Sequence, residues 1–586
     1  MKKIGIVGLG VSGISSLYGI LQASIKHSGS DFDTSSISQI DVFEAGSIGG
    51  SQYSTSSTSL EHFINMDINA MSIANINLAY WLSRNKEKIC EFIDDKFQEH
   101  HLLEYPKNIV MAISPDDKFV YIPRVVYGLY LQNIYESIIR DFRDNGVVIN
   151  ELNSSISSIE KDKNKNPSSY DYIIYCGGHQ FSGNQDKEKT FYPYPVRDIY
   201  EKMDSIFDNK KLRQKDSIIE INLGIMGTSL SGIDAIFSID SWIKNQKKLK
   251  KEKDSDLKIN LVWCSRSLTF PTARLTKMAE NMLDGDELMK NCREKCKFLK
   301  NKLEISEISQ KDYEKSMLGI YVETVNEFRK EFSSKYNISL RGLTFNEIFN
   351  PINLTCKSSE ELKENTRLSI DRASKSSDLD YFLTQSAFRM SSKYGLYIFN
   401  KLSKKGLGKD YRTPFIANTT PVPISTLQRM LDVFESKEIS LELKVAKDFS
   451  DDSLDMVIDS STSIKRIDEQ TGVLRELLKS KMISASGTSI QPRLLTPANN
   501  KITTSFALGS FKEGENAGIT CVHDLQSELE LGKKKKISWF SVDKSTSLEE
   551  KYKLKLEDLE VKKTPKSSFV PSDISKIAIY DKEASL

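Results

Sequence analysis

Lys3-Ile4-Gly5-Ile6-Val7-Gly8-Leu9-Gly10-Val11-Ser12-Gly13 is the stretch on which the fold turns. Residues 3 to 8 form a short β-rich run and residues 13 to 24 carry a helical pattern, so the glycines fall at a strand-to-helix turn. Gly8-Leu9-Gly10-Val11-Ser12-Gly13 is therefore G-x-G-x-x-G in the context that gives the motif meaning. Gly8 permits the tight turn, Gly10 leaves no Cβ between the backbone and a pyrophosphate, and Gly13 lets helix and strand pack closely. The helix N-terminus offers unpaired N–H groups to phosphate oxygens. A second strand, Gln39 to Glu44, closes on an acid suited to the hydroxyls of a ribose. Glu44 lies farther from Gly8 than the usual ~20 residues, and the loop at 28 to 38 absorbs the excess.

A second unit of the same kind follows. The strand 217 to 226 runs into Gly227-Thr228-Ser229-Leu230-Ser231-Gly232, with serine in place of the middle glycine. Ser229 adds a Cβ and a hydroxyl where a pyrophosphate would approach, which weakens the inference of binding without excluding it. After the next strand, 259 to 263, stands Cys264-Ser265-Arg266 rather than a carboxylate. A carboxylate would repel a 2′-phosphate, whereas Ser265 and Arg266 would hydrogen-bond one, so the pattern favours NADP over NAD. Two dinucleotide turns in one chain imply two cofactor domains, and hydride transfer between nicotinamide and flavin explains such a pair.

Composition narrows the alternatives. With 586 residues, 39% of them hydrophobic and 28% charged, the chain buries more than one core and is not a small binding module. Lys and Arg number 82 against 80 Asp and Glu, a net charge of +2, so no overall field draws nucleic acid or anionic lipid. The seven cysteines are odd in number and lack CxxC spacing, which argues against a disulfide framework or zinc ribbon. Cys292 and Cys296 share a helical face, but no cluster completes a metal site. Glycines at 5, 8, 10 and 13 break the apolar helix that a secretion signal needs, and no apolar run reaches ~20 residues. The expectation is a cytoplasmic protein with no membrane span and no nucleic-acid partner. Lys533 to Lys536 read as a solvated basic run.

The fold class expected is α/β, with two Rossmann-like dinucleotide-binding domains, for FAD and NADP, and a helical insertion. Residues 1–195 form the first part of the FAD-binding domain, up to the prolines at 193 and 195, and residues 196–275 form the NAD(P)-binding domain. Residues 276–414, charged and helix-patterned, make the insertion or cap. Residues 415–530 return to both cofactor domains, and 531–586 are a polar tail with the composition of a disordered segment.

GIVGLGVSG at 5 to 13, FEAGSIGG at 43 to 50, NMD at 65 to 67, YIPRVVYGLYL at 121 to 131, YDYIIYCGG at 170 to 178 and GTSLSGIDA at 227 to 235 together resemble FAD/NAD(P)-binding flavoproteins. The motifs are most similar to the bacterial FAD-NAD(P)-binding family that neighbours the lysine/ornithine N-hydroxylating monooxygenases. The resemblance implies that FAD is held through Gly8, Gly10, Val11, Ser12, Gly13 and Glu44, with Gly49, Gly50 and Tyr53 on the flavin side. It implies that Arg124 takes the place of the arginine in the family's Pro-Arg-x-x-x-Gly segment, and that Gly177 belongs to a crossover joining the domains, where Cys176 and Gly177 replace Ala and Thr. Residues 455 to 461 take the place of the second crossover, and Gly509 belongs to the C-terminal return to the flavin. Gly227, Thr228, Ser229, Gly232, Ser265 and Arg266 form the NADP side.

The function implied is an FAD-dependent, NADPH-using oxidoreductase of monooxygenase type, with molecular oxygen and a small amine or amino-acid-derived substrate. Such chemistry needs little side-chain acid or base, so no catalytic residue is named. His62 and His179 are expected to be structural or surface histidines, and Cys176 a buried packing cysteine. Two alternatives stay open: a flavin reductase or dehydrogenase without oxygen transfer, and a non-catalytic FAD-binding sensor whose second site is dead.

Overall fold

The computed structural model describes residues 2–26, 37–44, 46–56, 58–68, 71–74, 76–117, 120–153, 170, 172–176, 189–193, 196–213, 218–250, 257–274, 294–295, 298, 301–305, 307–349, 355–374, 379–403, 405–419, 421–450 and 452–460, together with the strand backbones 483–486, 489–492, 494–495 and 503–507. Among these residues the strands assemble into two large sheets, each built on one of the glycine turns.

The first sheet contains β1 (Lys2–Val7), β2 (Ile37–Phe43), β3 (Val148–Leu152) and β4 (Tyr172–Tyr175). The alternation of Ile4 and Ile6 with Gly5 and Val7 suits a strand covered on both faces, and all four of these residues are buried. The second sheet contains β5 (Thr190–Phe191), β6 (Ile219–Met226) and β7 (Leu257–Ser265); a short parallel pair joins β8 (Ala273–Arg274) to β9 (Val422–Pro423). β10 (Ile439–Val445) and β11 (Met456–Asp459) complete the second sheet, in the order β10-β7-β6-β11-β5, all parallel. Farther on, β12 (Ile483–Ser486) and β13 (Ser489–Pro492) form an antiparallel pair. β14 (Leu494–Leu495) and β15 (Thr503–Ala507) return to the first sheet, whose order is β14-β15-β4-β1-β2-β3.

In both sheets the glycine turn follows the strand at which the order reverses. β1 lies between β2 and β4, and β6 lies between β7 and β11. A nucleotide is received in the crevice beyond the carboxyl end of such a strand. Helix α1 (Val11–Lys26) leaves the first turn. α2 (Gly50–Tyr53), α3 (Leu78–Arg84), α4 (Lys86–Phe97), α5 (Glu104–Ala112) and α6 (Arg124–Asp144) follow it. Pro123 at the N-cap sets the extended entry to α6, which lies against α1 and buries Val125, Val126, Leu131, Ile134 and Ile138. α7 (Val196–Arg213) and α8 (Leu230–Lys250) cover the second sheet, burying Ile199, Met203, Phe207, Ile236 and Trp242 in its core.

The region expected as one helical insertion divides its helices between two cores. α9 (Gln310–Tyr336), α10 (Phe345–Phe349), α12 (Leu379–Ser403) and α13 (Lys409–Thr419) share an aromatic core that includes Tyr313, Tyr321, Phe349, Phe399 and Phe415. α11 (Ser359–Ser374) instead packs on α14 (Ile424–Glu435) and β10, because its buried Leu362 belongs to the core of the second sheet. No helix among the described residues is long and apolar enough to cross a membrane.

Candidate functional site: two glycine turns and a buried seam

At the first turn the Gly8 N–H donates to Phe43 O at 2.8 Å, which ties the end of β1 to the end of β2. Gly8 adopts φ 90°, a conformation that favours glycine. A Cβ on Gly13 would lie 2.0 Å from Gly8 O, so the close packing of helix and strand requires glycine there. A Cβ on Gly10 would meet nothing within 4 Å, so open space stands in front of that backbone. The first i to i−4 bond of α1 runs from Ile14 N to Gly10 O at 3.1 Å. Helix geometry then leaves the N–H groups of Val11, Ser12 and Gly13 without intrahelical acceptors. Together with the helix dipole they make a cradle that suits an anionic pyrophosphate.

Glu44 closes the mouth of this cradle. Its Oε2 accepts Leu9 N–H at 2.6 Å and its Oε1 accepts Gly46 N–H at 2.8 Å, and each oxygen keeps a lone pair for a ribose hydroxyl. Gly49 N–H donates to Leu9 O at 2.9 Å, and a Cβ on Gly50 would come no nearer than 4.0 Å to Gly10 Cα, so both residues stand beside the same opening. Tyr53 packs edge-on against Tyr127, with ring centroids 5.0 Å apart. Cys176 is buried: its N–H donates to Val7 O at 2.7 Å and its Sγ lies 3.7 Å from Ser16 Oγ. That contact is the packing role expected of it. Gly177 and Gly509 lie outside the described residues, as do His179, Cys292, Cys296 and Lys533 to Lys536.

The second turn repeats the frame and alters its contents. Gly227 N–H donates to Cys264 O at 2.7 Å, and Gly227 adopts φ 101°. A Cβ on Gly232 would lie 2.2 Å from Gly227 O, and Trp263 Nε1 donates to that same carbonyl at 2.7 Å. Ser229 is exposed at the position of Gly10, and its carbonyl draws in the Gly232 N–H at 2.9 Å, a bond that has no counterpart among the described residues of the first turn. Thr228 Oγ1 lies 3.1 Å from Ser265 Oγ and 2.8 Å from Thr269 O, which braces the turn against the end of β7. Leu268 N–H donates to Ser265 Oγ at 2.9 Å. Arg266 is exposed beside this group, and no hydrogen bond or ion pair holds its guanidinium among the described residues. The buried Asp459, level with Met226 at the end of β11, stands close to Cys264; burial and that carboxylate push the Cys264 thiol up to about 12.

Between the two units lies a polar seam that the sequence reading did not assemble. Arg124, expected from the resemblance beside the cofactor, is buried in it. Its Nη2 donates to Asp234 Oδ2 at 2.7 Å and its Nε to Phe63 O at 2.9 Å. His62 Nε2 lies 3.0 Å from Asp234 O and 2.9 Å from Ser238 Oγ. A carbonyl only accepts, so His62 carries a proton on Nε2. Burial lowers the His62 imidazole from its ordinary value, which makes it the structural histidine expected. Deeper in the seam Glu61 accepts from Tyr200 Oη at 2.7 Å and from His100 Nε2 at 3.2 Å. Burial raises the Glu61 carboxyl, but the His100 hydrogen bond and the other neighbours outweigh it and hold the group below the usual carboxylate range. Arg429 donates to Glu61 O at 3.0 Å and lies over the Phe237 ring at 4.1 Å. These partners stand too far apart in sequence for spacing to join them; the available signal was the polar Glu61-His62 set between the apolar Leu60 and Phe63-Ile64.

Residues 5–177 match the family described as FAD-NAD(P)-binding. The first unit has the fold of a Rossmann-type dinucleotide-binding domain. FAD and NADP, the cofactors expected from the sequence, are in keeping with that match. The chain is 26% identical over 285 residues to YdhS, an uncharacterised protein of Escherichia coli (strain K12), and the likeness spans 47% of each. The chain thus matches about half the length of this curated relative. Solved structures with partial likeness include Mycobacterium tuberculosis FprA in complex with NADPH, at 11% identity and a TM-score of 0.20, covering 45% of this chain and 44% of FprA. Tmm from Pelagibacter sp. strain HTCC7211 is similar at 15% identity and a TM-score of 0.21, covering 44% of this chain and 51% of Tmm. Scores this low carry no argument about activity.

Proposed function

We propose that the chain is an FAD-dependent oxidoreductase that draws electrons from NADPH. The observation that carries this reading is the repetition of one frame at both turns: the Gly8 to Phe43 and Gly227 to Cys264 hydrogen bonds, each on the reversal strand of a parallel sheet. The chemistry supplied by the two cofactors is hydride transfer from nicotinamide to flavin. The chain's own part is to bind and orient. Gly10 and the first N–H groups of α1 receive the FAD pyrophosphate, and Glu44 receives its ribose. Gly227, Thr228 and the start of α8 receive the second nucleotide, with Ser265 and Arg266 on its 2′-phosphate.

The finer reading is a monooxygenase acting on a small amine or amino-acid-derived metabolite with molecular oxygen. It rests on the motif resemblance to the family beside the lysine/ornithine N-hydroxylating enzymes. Its enzymatic alternative is a reductase or dehydrogenase without oxygen transfer. A non-catalytic flavoprotein is favoured by the second turn alone, where Ser229 replaces the middle glycine and its carbonyl occupies the Gly232 N–H. The purified protein should be yellow, and anaerobic NADPH should bleach the flavin band faster than NADH does. Admitting oxygen with candidate amines then separates coupled substrate hydroxylation from simple peroxide release. A colourless chain that takes up no FAD on reconstitution refutes the proposal, and a yellow chain that neither nucleotide bleaches leaves the non-catalytic reading in its place.

A further inference from the structure

The seam connects both glycine turns through the first two turns of one helix. Arg124 opens α6, and its backbone N–H donates to His62 O at 2.7 Å while its guanidinium reaches Asp234 in the second turn of α8. Gly128 lies four residues on, on the same face of α6. A Cβ there would come 1.9 Å from Tyr53 O, so α6 presses on α2 with backbone against backbone. α2 begins at Gly50, beside Gly10, and Gly49 is bonded to Leu9 O. The path from Gly10 to Gly232 thus runs through α2, Gly128, Arg124 and Asp234. His62 fixes the same end of α8 a second time, through Asp234 O and Ser238 Oγ.

We propose that Arg124 and Asp234 are positioning residues: their buried pair, seconded by His62, sets the register between the two nucleotide-binding turns, so that a dihydronicotinamide held by the second turn meets the flavin held by the first. The inference rests on the function proposed above. The step it serves moves a hydride, with both its electrons, from NADPH to FAD; this leaves NADP+ and two-electron-reduced flavin, with one proton taken from solvent where the neutral reduced form results. Both side chains are buried and turned toward protein partners, Arg124 toward Asp234 and Phe63 O. Their removal should therefore lower the rate of the step without lowering the binding of either cofactor, because geometry within a near-attack arrangement controls rate steeply.

The test uses the full chain reconstituted with FAD. Asp234→Asn keeps the shape and removes the charge; Arg124→Lys keeps the charge but replaces the two nitrogens that reach Phe63 O and Asp234 by one. Both should retain wild-type FAD content and bind NADPH within threefold of wild type, while the anaerobic rate constant for flavin reduction falls ten- to a hundredfold. Independently of turnover, amide hydrogen exchange across residues 230–238 of the flavin-free chain should quicken at least tenfold in Asp234→Asn. His62→Gln, which can still donate to Asp234 O, should stay close to wild type, and His62→Leu should not. Reduction at the wild-type rate in both pair variants, with unchanged exchange, overturns the positioning role. So does a rate loss that merely follows lost FAD or aggregation in both variants, since the pair would then be a folding element. A wild-type chain that holds FAD but is not reduced by NADPH overturns the oxidoreductase reading first, and the positioning of its hydride with it.

Discussion

The two glycine turns share a frame and differ in what the frame holds. In both, a left-handed glycine ends the reversal strand, an N–H crosses to the neighbouring strand, and a glycine five residues later lets the helix pass over that turn's carbonyl. The first turn keeps open space over Gly10 and an acid at its mouth; the second places an exposed Ser229 there and an exposed Arg266 where the acid would be. Packing demands and ligand demands are therefore separable within one motif. Gly8, Gly13, Gly227 and Gly232 answer to the chain's own backbone, while under the proposed function Gly10, Ser229, Glu44 and Arg266 answer to what is bound.

The largest expected effect tests that separation directly. Gly10→Val should abolish FAD uptake while leaving the melting temperature of the flavin-free chain unchanged, since its side chain enters open space. A valine variant that unfolds would erase the distinction. Next come Gly13→Ala and Gly232→Ala, each of which drives a methyl into a carbonyl and should lower unfolding stability by about 2–3 kcal/mol. Gly232→Ala should keep its flavin and lose NADPH; a matched loss of both cofactors would mean that the turns fold as one unit, as read from urea titrations of each variant. Arg266→Ala should cut the preference for NADPH over NADH by roughly ten- to a hundredfold, the worth of about one charge-assisted hydrogen bond, with FAD content unaltered. An unaltered ratio would move 2′-phosphate recognition away from the end of β7.

The smallest effect is graded and belongs to the seam. Burial and the neighbouring His100 bring His101 to about 4 from an ordinary 6.5, so the unfolded chain takes up the proton before the folded one does. Stability is then lost as pH falls from 6.5 toward 4, and His62, also lowered by burial, acts in the same sense. Glu61, held low, adds a loss that begins below its ordinary 4.5. Acid titration of flavin-free protein should show this decline setting in above the carboxylate range. A stability that is flat down to pH 4.5 would contradict the neutral burial of both histidines.

What could be read from the sequence was what local chemistry determines. The glycine spacing located both turns and the strand that leads into each. β3 and β10 were not anticipated. Both are edge strands in which polar residues such as Asn150, Glu151, Glu442 and Lys444 interrupt the apolar run, so the signal of a doubly covered strand is missing. The seam was hidden for a different reason: the partners of Glu61, Tyr200 and Arg429, lie on different helices, and no periodicity links a residue to a hydrogen-bond partner in another unit. Arg124 was singled out by its motif, but its contact with Asp234 exists only once both sheets have formed.

The pairing of β15 with β4 has a consequence for biogenesis. Thr504 to Ala507 lie in register with Tyr172 to Tyr175, yet the whole second sheet is encoded between them. A ribosome adding ~5–20 residues per second needs on the order of half a minute to pass from one strand to the other. Throughout that interval the outer edge of β4 has no partner, in a sheet whose neighbouring strands are already made. The nascent chain thus exposes an unfilled strand slot while it builds an entire second unit, an edge open to self-association until β15 is made.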